Sequence, residues 1–281
     1  MITDMPWWHA VLFGALEGLT EFLPVSSTGH LTILEKLLGY PIDAPEITAF
    51  TAIIQAGAVL ATLIYLWKDI VRVVTAWWRG LLHRDDRGAD YKFGWAVILG
   101  CIPIGIVGFL FQDQIETTLR SLWIVGGTLI GFSAVMWFAD RYGKQDRTER
   151  EATWKDTLVI GLAQCLALIP GVSRSGATMS AGLLRGLNRV AVTRLSFFLS
   201  IPALTAAAVL QTVTRYDEIS TGIGWGPTLL ATAVSFVVAY LAVNWLLKFV
   251  ARHTYSVFIV WRVVVGTVLL LLLATKVISA T

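Results

Sequence analysis

The chain has 281 residues, of which 56% are hydrophobic and only 15% charged, with a mean hydropathy of +0.69. A water-soluble domain carries roughly a quarter charged residues, so the composition excludes a soluble globular fold and predicts a membrane protein. The formal charge of +3 is too small to support nucleic-acid binding. Two cysteines, Cys101 and Cys165, lie far apart in apolar segments and read as inert buried thiols, neither a disulfide framework nor a metal site. Met1 to Trp8 lacks a basic run ahead of a short apolar core, so no cleaved signal peptide is expected.

In chain order, the first apolar region, residues 8–38, is broken at Pro24-Val25-Ser26-Ser27-Thr28-Gly29. The pieces on either side are too short to cross a hydrocarbon core of about 30 Å. A span is predicted over 47–67, then a basic connection with Lys68, Arg72, Arg79, Arg84, Arg87 and Lys92. Spans follow at 93–111 and 122–139, then a second basic connection with Arg141, Lys144, Arg147, Arg150 and Lys155. Residues 157–188 are broken again, at Pro170-Gly171-Val172-Ser173-Arg174-Ser175-Gly176. The last spans are predicted at 191–213, 227–248 and 256–276, with Lys248 and Arg252 at the connection between the final two. Both broken regions read as re-entrant hairpins, whose irregular backbone is tolerated only inside protein or beside water.

An offset of 147 residues aligns the chain with itself without a gap. Gly14 falls on Gly161, Glu17 on Gln164, Val25 on Val172, Ser26 on Ser173, Thr28 on Ser175 and Gly29 on Gly176. Phe50, Ile54 and Ala56 meet Phe197, Ile201 and Ala203 further on. Each half is then one hairpin and three spans. Three crossings invert the second half, so the expectation is a single all-α polytopic membrane domain over residues 1–281, with inverted repeats at about 1–139 and 157–281 joined by the basic loop 140–156. Chance identity among small residues is the competing reading. The basic connections belong in the cytoplasm. Their counterparts are poor in bases, with Arg120 near one, Arg215 at another and none in residues 41–46. Both termini are then outside. The first hairpin enters from the outer face and the second from the inner face.

Chemistry concentrates at the two breaks. Glu17 and Glu21 are four apart and share a helix face, where two carboxylates repel and are costly to bury. Ser26, Ser27, Thr28 and His30 follow directly, and the second break offers Ser173, Arg174, Ser175 and Thr178. A buried guanidinium demands an anionic partner, and helix N-termini favour phosphate. Acidic residues beside a basic, hydroxyl-rich pocket suggest metal-assisted phosphoryl chemistry more than simple anion binding. Blander readings compete. A Glu–Arg pair could merely pin the hairpins together, and Ser26 and Ser173 could simply cap helices. Glu35 and Glu46 read as solvated rim residues, and His83 and His253 as surface residues. The tryptophans, Trp7, Trp8, Trp77 and Trp78 among them, read as an interfacial belt.

With these residues in place, the sequence resembles the integral-membrane undecaprenyl-diphosphate phosphatase family, the type linked to bacitracin resistance. Glu17-Gly18-Leu19-Thr20-Glu21 matches its E/Q-x-x-x-E element, and Pro24 to His30 follows as that family expects. Pro170 to Thr178 matches its P-G-x-S-R-S-x-x-T signature without departure, and the likeness covers essentially the whole chain. The resemblance implies hydrolysis of the terminal phosphate of a C55 polyprenyl diphosphate. The product is the monophosphate carrier lipid reused for peptidoglycan and other envelope polymers. It also implies a bacterial cytoplasmic-membrane location, an extracytoplasmic active site and a divalent cation.

On this reading Arg174, with Ser26, Thr28, Ser173, Ser175, Thr178 and hairpin N–H groups, grips the diphosphate. Glu17 and Glu21 hold Mg2+ or Ca2+. Ser27 attacks with His30 or Glu21 as base, while His30 as nucleophile and a metal-bound water stay open. The expected partners are the lipid substrate and membrane lipids, with no nucleic acid; the sequence leaves a homodimer open. An inverted-repeat transporter or a lipid flippase is the rival of another class, and a structural scaffold the least economical.

Overall fold

The computed structural model describes residues 5–42, 44–111 and 121–280. Arg120, placed near one base-poor connection, lies outside them. Among the described residues every regular element is helical: α1 (Trp7–Thr20), α2 (Ser27–Leu37), α3 (Pro45–Tyr65), α4 (Trp67–Leu82), α5 (Ala89–Leu110), α6 (Leu122–Tyr142), α7 (Trp154–Gln164), α8 (Arg174–Leu184), α9 (Arg189–Thr214), α10 (Tyr216–Thr221), α11 (Trp225–Val250) and α12 (Ser256–Ala274). Six of these, α3, α5, α6, α9, α11 and α12, are long and apolar enough to cross a membrane. They coincide with the six predicted spans.

Local chemistry sets their starts. Pro45 occupies the first turn of α3, where a missing N–H costs nothing. The Asn188 side chain caps α9 by accepting from Ala191 N at 2.9 Å, and Thr153 with Asp156 forms a capping box on α7. One element departs from expectation. The 68–92 connection, read as a basic loop, contains most of α4, which carries Asp69, Arg72 and Arg79 beside exposed Trp67, Val74, Trp78 and Leu82. That mixture suits a helix lying at a membrane interface.

Small residues let the broken segments press against spans, and one span against another. A Cβ on Gly14 of α1 would sit 2.3 Å from the Ala231 carbonyl oxygen of α11, and one on Gly57 of α3 would sit 2.1 Å from that of Thr232. In α7, a Cβ on Gly161 would sit 2.2 Å from the Gly100 carbonyl oxygen of α5. Such close backbone approach is the usual basis of helix contact in lipid. Gly14 and Gly161 are the pair that the 147-residue offset aligns. The same offset relates the first residues of α1 and α7, and both ends of α2 and α8.

The base-rich end is knitted by ion pairs. Arg194 reaches Asp69 at 2.7 Å and Glu149 at 2.6 Å. Asp156 takes Arg147 at 2.7 Å and Arg185 at 2.8 Å. Burial alone would raise the Asp156 pKa, but hydrogen bonds from Arg147, Thr153 and Arg185 outweigh it and hold the carboxyl far below its ordinary range. A cavity of about 780 Å3 lies among these pairs, against the first turns of α5 and α9. It contains none of the motif residues.

Candidate active site

The two breaks meet. α1 ends at Thr20, the chain turns through Pro24 and Val25, and α2 begins at Ser27. Ser26 has φ 77° and its side chain accepts from Gly29 N at 3.3 Å. Ser173 also has φ 77°, ahead of α8, and its side chain accepts from Gly176 N at 3.1 Å. A non-glycine residue in this left-handed region costs roughly 1–3 kcal/mol and persists only where its surroundings enforce it. Both serines are therefore helix caps, each paired with a glycine whose N–H closes the turn. The loops touch: a Cβ on Gly29 would lie 3.4 Å from Gly171 Cα, and Ser175 Oγ donates across to the Leu23 carbonyl at 2.9 Å.

Glu21 stands between the two helix starts. Its Oε2 accepts from Ser27 Oγ at 2.5 Å, and its Oε1 accepts from Arg174 Nη2 at 2.7 Å. Arg174 is nearly enclosed, with 9% of its side chain exposed, and its guanidinium carbon lies 5.9 Å from the centre of the Phe22 ring. The other terminal nitrogen, Nη1, is buried without a partner. The planar fork thus has one prong on a carboxylate and one with its hydrogen-bonding capacity unused.

A cavity of about 600 Å3 opens over this group. Its polar floor is Glu21, Ser26, Ser27, Thr28, Ser173 and Arg174; its walls come from the second half of α5, including Ile104, Gly108 and Phe109, and from Pro202 to Gln211 of α9. A smaller cavity of about 240 Å3 adjoins it through Thr28, Gln55, Ala167 and Leu168. Polar and charged groups thus form one end of the cavity and apolar side chains its walls, the layout that an amphiphilic ligand requires.

Several expected residues fall elsewhere. His30 does not reach Ser27. Its Nδ1 lies 2.7 Å from the Ser26 carbonyl, and its Nε2 accepts from Trp261 Nε1 at 2.9 Å. Since a carbonyl only accepts and an indole only donates, the imidazole carries its proton on Nδ1 and both nitrogens are engaged. Ser175 is spent on Leu23, and Thr178 Oγ1 lies 2.9 Å from the Arg174 carbonyl and 2.7 Å from Ser196 Oγ. Neither hydroxyl lines the cavity, because each satisfies a buried acceptor instead. Glu35, read as a solvated rim residue, is buried. Cys101, read as inert, is half-buried and lines the cavity beside Gln55. Exposed His83 and His253 do sit at the surface.

For a divalent cation the oxygen donors are Glu17 and Glu21. Glu17 is fully enclosed, one turn before Glu21, and neither of its oxygens has a partner. A buried carboxylate in that state calls for a cation or a proton. Among the described residues no group of three or more His, Cys, Asp or Glu could hold a metal by itself. A hard cation of the kind that takes one or two carboxylates and completes its shell with phosphate oxygens and water would draw first on Glu17, since both oxygens of Glu21 are bonded to Ser27 and Arg174.

The sequence reading missed Gln55, Thr128, Trp261 and Arg262. The signal for Arg262 was available: an arginine within an apolar span marks a functional position by default. Residues 10–268 match the family described as "Bacitracin resistance protein BacA". The chain belongs to the BacA family. Among curated members it is 68% identical to "Undecaprenyl-diphosphatase 3" of Frankia casuarinae, covering 97% of this chain and 99% of that one. It is 54% identical to "Undecaprenyl-diphosphatase" of Cutibacterium acnes, covering 98% and 100%. Identity to "Undecaprenyl-diphosphatase" of Mycobacterium ulcerans is 46%, covering 99% and 100%. Both breaks, the residues bonded to Glu21 and the Trp261-Arg262 pair lie within the stretch matched by this family.

Proposed function

We propose that this membrane-embedded enzyme hydrolyses undecaprenyl diphosphate to undecaprenyl phosphate and inorganic phosphate, recycling the lipid carrier of cell-wall synthesis and so conferring bacitracin resistance. The names of its relatives support hydrolysis and not the transporter alternative. The observation that carries the mechanism is the Ser27–Glu21–Arg174 chain on the cavity floor, with Arg174 Nη1 buried beside it and unpartnered.

The terminal phosphate lies at the starts of α2 and α8, held by Arg174 Nη1, by Ser26, Thr28 and Ser173, and by N–H groups of the first turns. Ser27 Oγ attacks the terminal phosphorus as Glu21 takes its proton. The bridging P–O bond breaks, and the undecaprenyl phosphate departs with the proton that Glu21 had taken. Water then attacks the phosphoseryl group as Glu21 takes its proton; the P–Oγ bond breaks, Glu21 returns the proton to Ser27 Oγ, and inorganic phosphate leaves. Arg174 stabilises the charge on the transferring group throughout. Glu17 and Glu21 would hold Mg2+ or Ca2+, which when bound neutralises diphosphate charge. His30 transfers no proton in this scheme and instead holds the Ser26 carbonyl through its Nδ1–H.

The matching caps and helix bounds at an offset of 147 residues support an inverted repeat of two re-entrant hairpins within one membrane domain. With the basic connections in the cytoplasm, the cavity lies along the outer halves of α5 and α9 and opens to the extracytoplasmic side of the cytoplasmic membrane. Phosphate release from undecaprenyl diphosphate by purified protein in detergent tests the reading, since hydrolysis needs no sealed compartment. Release that falls on adding chelator, with a labelled phospho-enzyme that Ser27→Ala lacks while turnover drops about 10³-fold, is expected. Full turnover by Ser27→Ala would instead favour direct attack by water.

A further inference from the structure

Arg262 is fully buried in the first half of α12. Among the described residues no carboxylate pairs with it. Its Nη2 donates to the Gly171 carbonyl at 2.9 Å and to the Thr128 carbonyl at 3.4 Å, its Nε donates to Ser133 Oγ at 3.2 Å, and its Nη1 has no partner. An unpaired guanidinium at membrane depth is costly, so its presence needs a reason other than an ion pair. The acceptors supply one. Gly171 begins the turn that presents Ser173 and Arg174; its φ of +91° is a conformation that favours glycine, and its carbonyl faces α12 through the bond to Arg262. The preceding Pro170 carbonyl is taken by Thr128 Oγ1 at 2.6 Å. A Cβ on Gly171 would lie 2.1 Å from Thr128 Oγ1, so the turn is seated directly on α6.

The neighbouring residue serves the other loop. Trp261 Nε1 donates to His30 Nε2, and His30 Nδ1 donates to the Ser26 carbonyl immediately before Ser27. Two consecutive residues of one helix therefore hold the two turns of the site, one through a side chain and one through the backbone.

We propose that Trp261 and Arg262 are positioning residues that brace the first and second loops against α12, fixing the distance between Ser27 and Arg174 for phosphoryl transfer. The proposal rests on the phosphatase reading for its kinetic consequence but not for its structural one. Arg262 does this as a fork: it spans acceptors on α6 and on the second loop, which an ammonium cannot do in the same geometry. Trp261 does it by holding the neutral imidazole with its proton on Nδ1. If Arg262 served stability alone, an apolar residue of similar length would replace it with little harm.

The test uses full-length protein in detergent with Arg262→Met, Arg262→Lys and Trp261→Phe, read by hydrogen exchange and by kinetics. In Arg262→Met, residues 170–176 should exchange faster while the spans stay protected. Its kcat should fall about 100-fold with KM little changed, as expected of misplaced reacting groups. Arg262→Lys should recover part of that loss. Trp261→Phe keeps the ring but loses the N–H; exchange should rise at residues 26–30 and kcat should fall about tenfold. Unchanged exchange in Arg262→Met overturns the brace, and so does faster exchange with wild-type kcat. A wild-type protein that releases no phosphate would instead refute the phosphatase reading, and the exchange result would still decide the brace.

Discussion

The two loops at the centre of the molecule share a frame and differ in what they present. Both place a serine at φ 77°, cap an 11-residue helix through a glycine N–H, and press a glycine of the preceding helix against a span. The residue after the cap is Ser27 in one and Arg174 in the other. These equivalent residues bond the two oxygens of the same carboxylate, Glu21, whose own counterpart in the second half is Leu168. Matching backbone geometry thus brings two helix N-termini together, and the proposed mechanism assigns the differing residues at that place, Ser27 and Arg174, to attack and to clamping.

Removing the clamp breaks the comparison most severely. Arg174→Ala should lower kcat/KM by at least about 10³-fold, the scale of losing an arginine that neutralises a transferring phosphoryl group. Lysine should restore little, because one ammonium cannot both bond Glu21 Oε1 and reach phosphate as the planar fork does. The substitution also leaves Glu21 without its cation, and breaking a buried pair costs about 3–5 kcal/mol. A melting curve in detergent must accompany the assay. Well-folded Arg174→Ala protein with wild-type turnover would remove Arg174 from the mechanism.

The sequence carried the six spans, both breaks and the residues on them, because apolar length and the cluster of proline, glycine and hydroxyl residues are local signals. It did not carry α4, whose charges at Asp69, Arg72 and Arg79 dominate any hydropathy window although its tryptophans and valines form an apolar face. Nor could it separate hydroxyls that face the cavity from those that tie the fold. Ser173 and Ser175 are two residues apart in one motif, yet only Ser173 lines the cavity. That distinction depends on where Leu23 lies, 152 residues away. The Trp261–His30 bond joins residues 231 apart, and no spacing rule reaches it.

His30 sharpens the comparison next, because its counterpart is Ala177 and the second loop manages without it. If it positions Ser26 through Nδ1, asparagine, whose amide reaches about where Nδ1 does, should keep the bond to the Ser26 carbonyl. His30→Asn should then lose about tenfold in kcat, the scale of an outer-shell change. His30→Gln places its amide nearer Nε2 and should lose about 100-fold. Equal and near-complete loss in both variants, with the fold intact, would return the imidazole to a proton-transfer role.

The smallest effect separates Thr28 from its counterpart Ser175. Thr28 is exposed and lines both adjoining cavities, whereas Ser175 Oγ is buried against the Leu23 carbonyl. Ser175→Ala should therefore cost stability, about 1–3 kcal/mol for a buried acceptor left without its donor, with kcat/KM within about threefold of wild type in the protein that remains folded. Thr28→Val keeps the shape and loses only the hydroxyl; it should raise KM several-fold, on the scale of one hydrogen bond to a charged group, and leave the melting temperature nearly unmoved. The opposite pattern, with Ser175→Ala raising KM at unchanged stability, would mean that the bond to Leu23 gives way when diphosphate binds. The second loop would then add a hydroxyl, as well as Arg174, to the grip on phosphate.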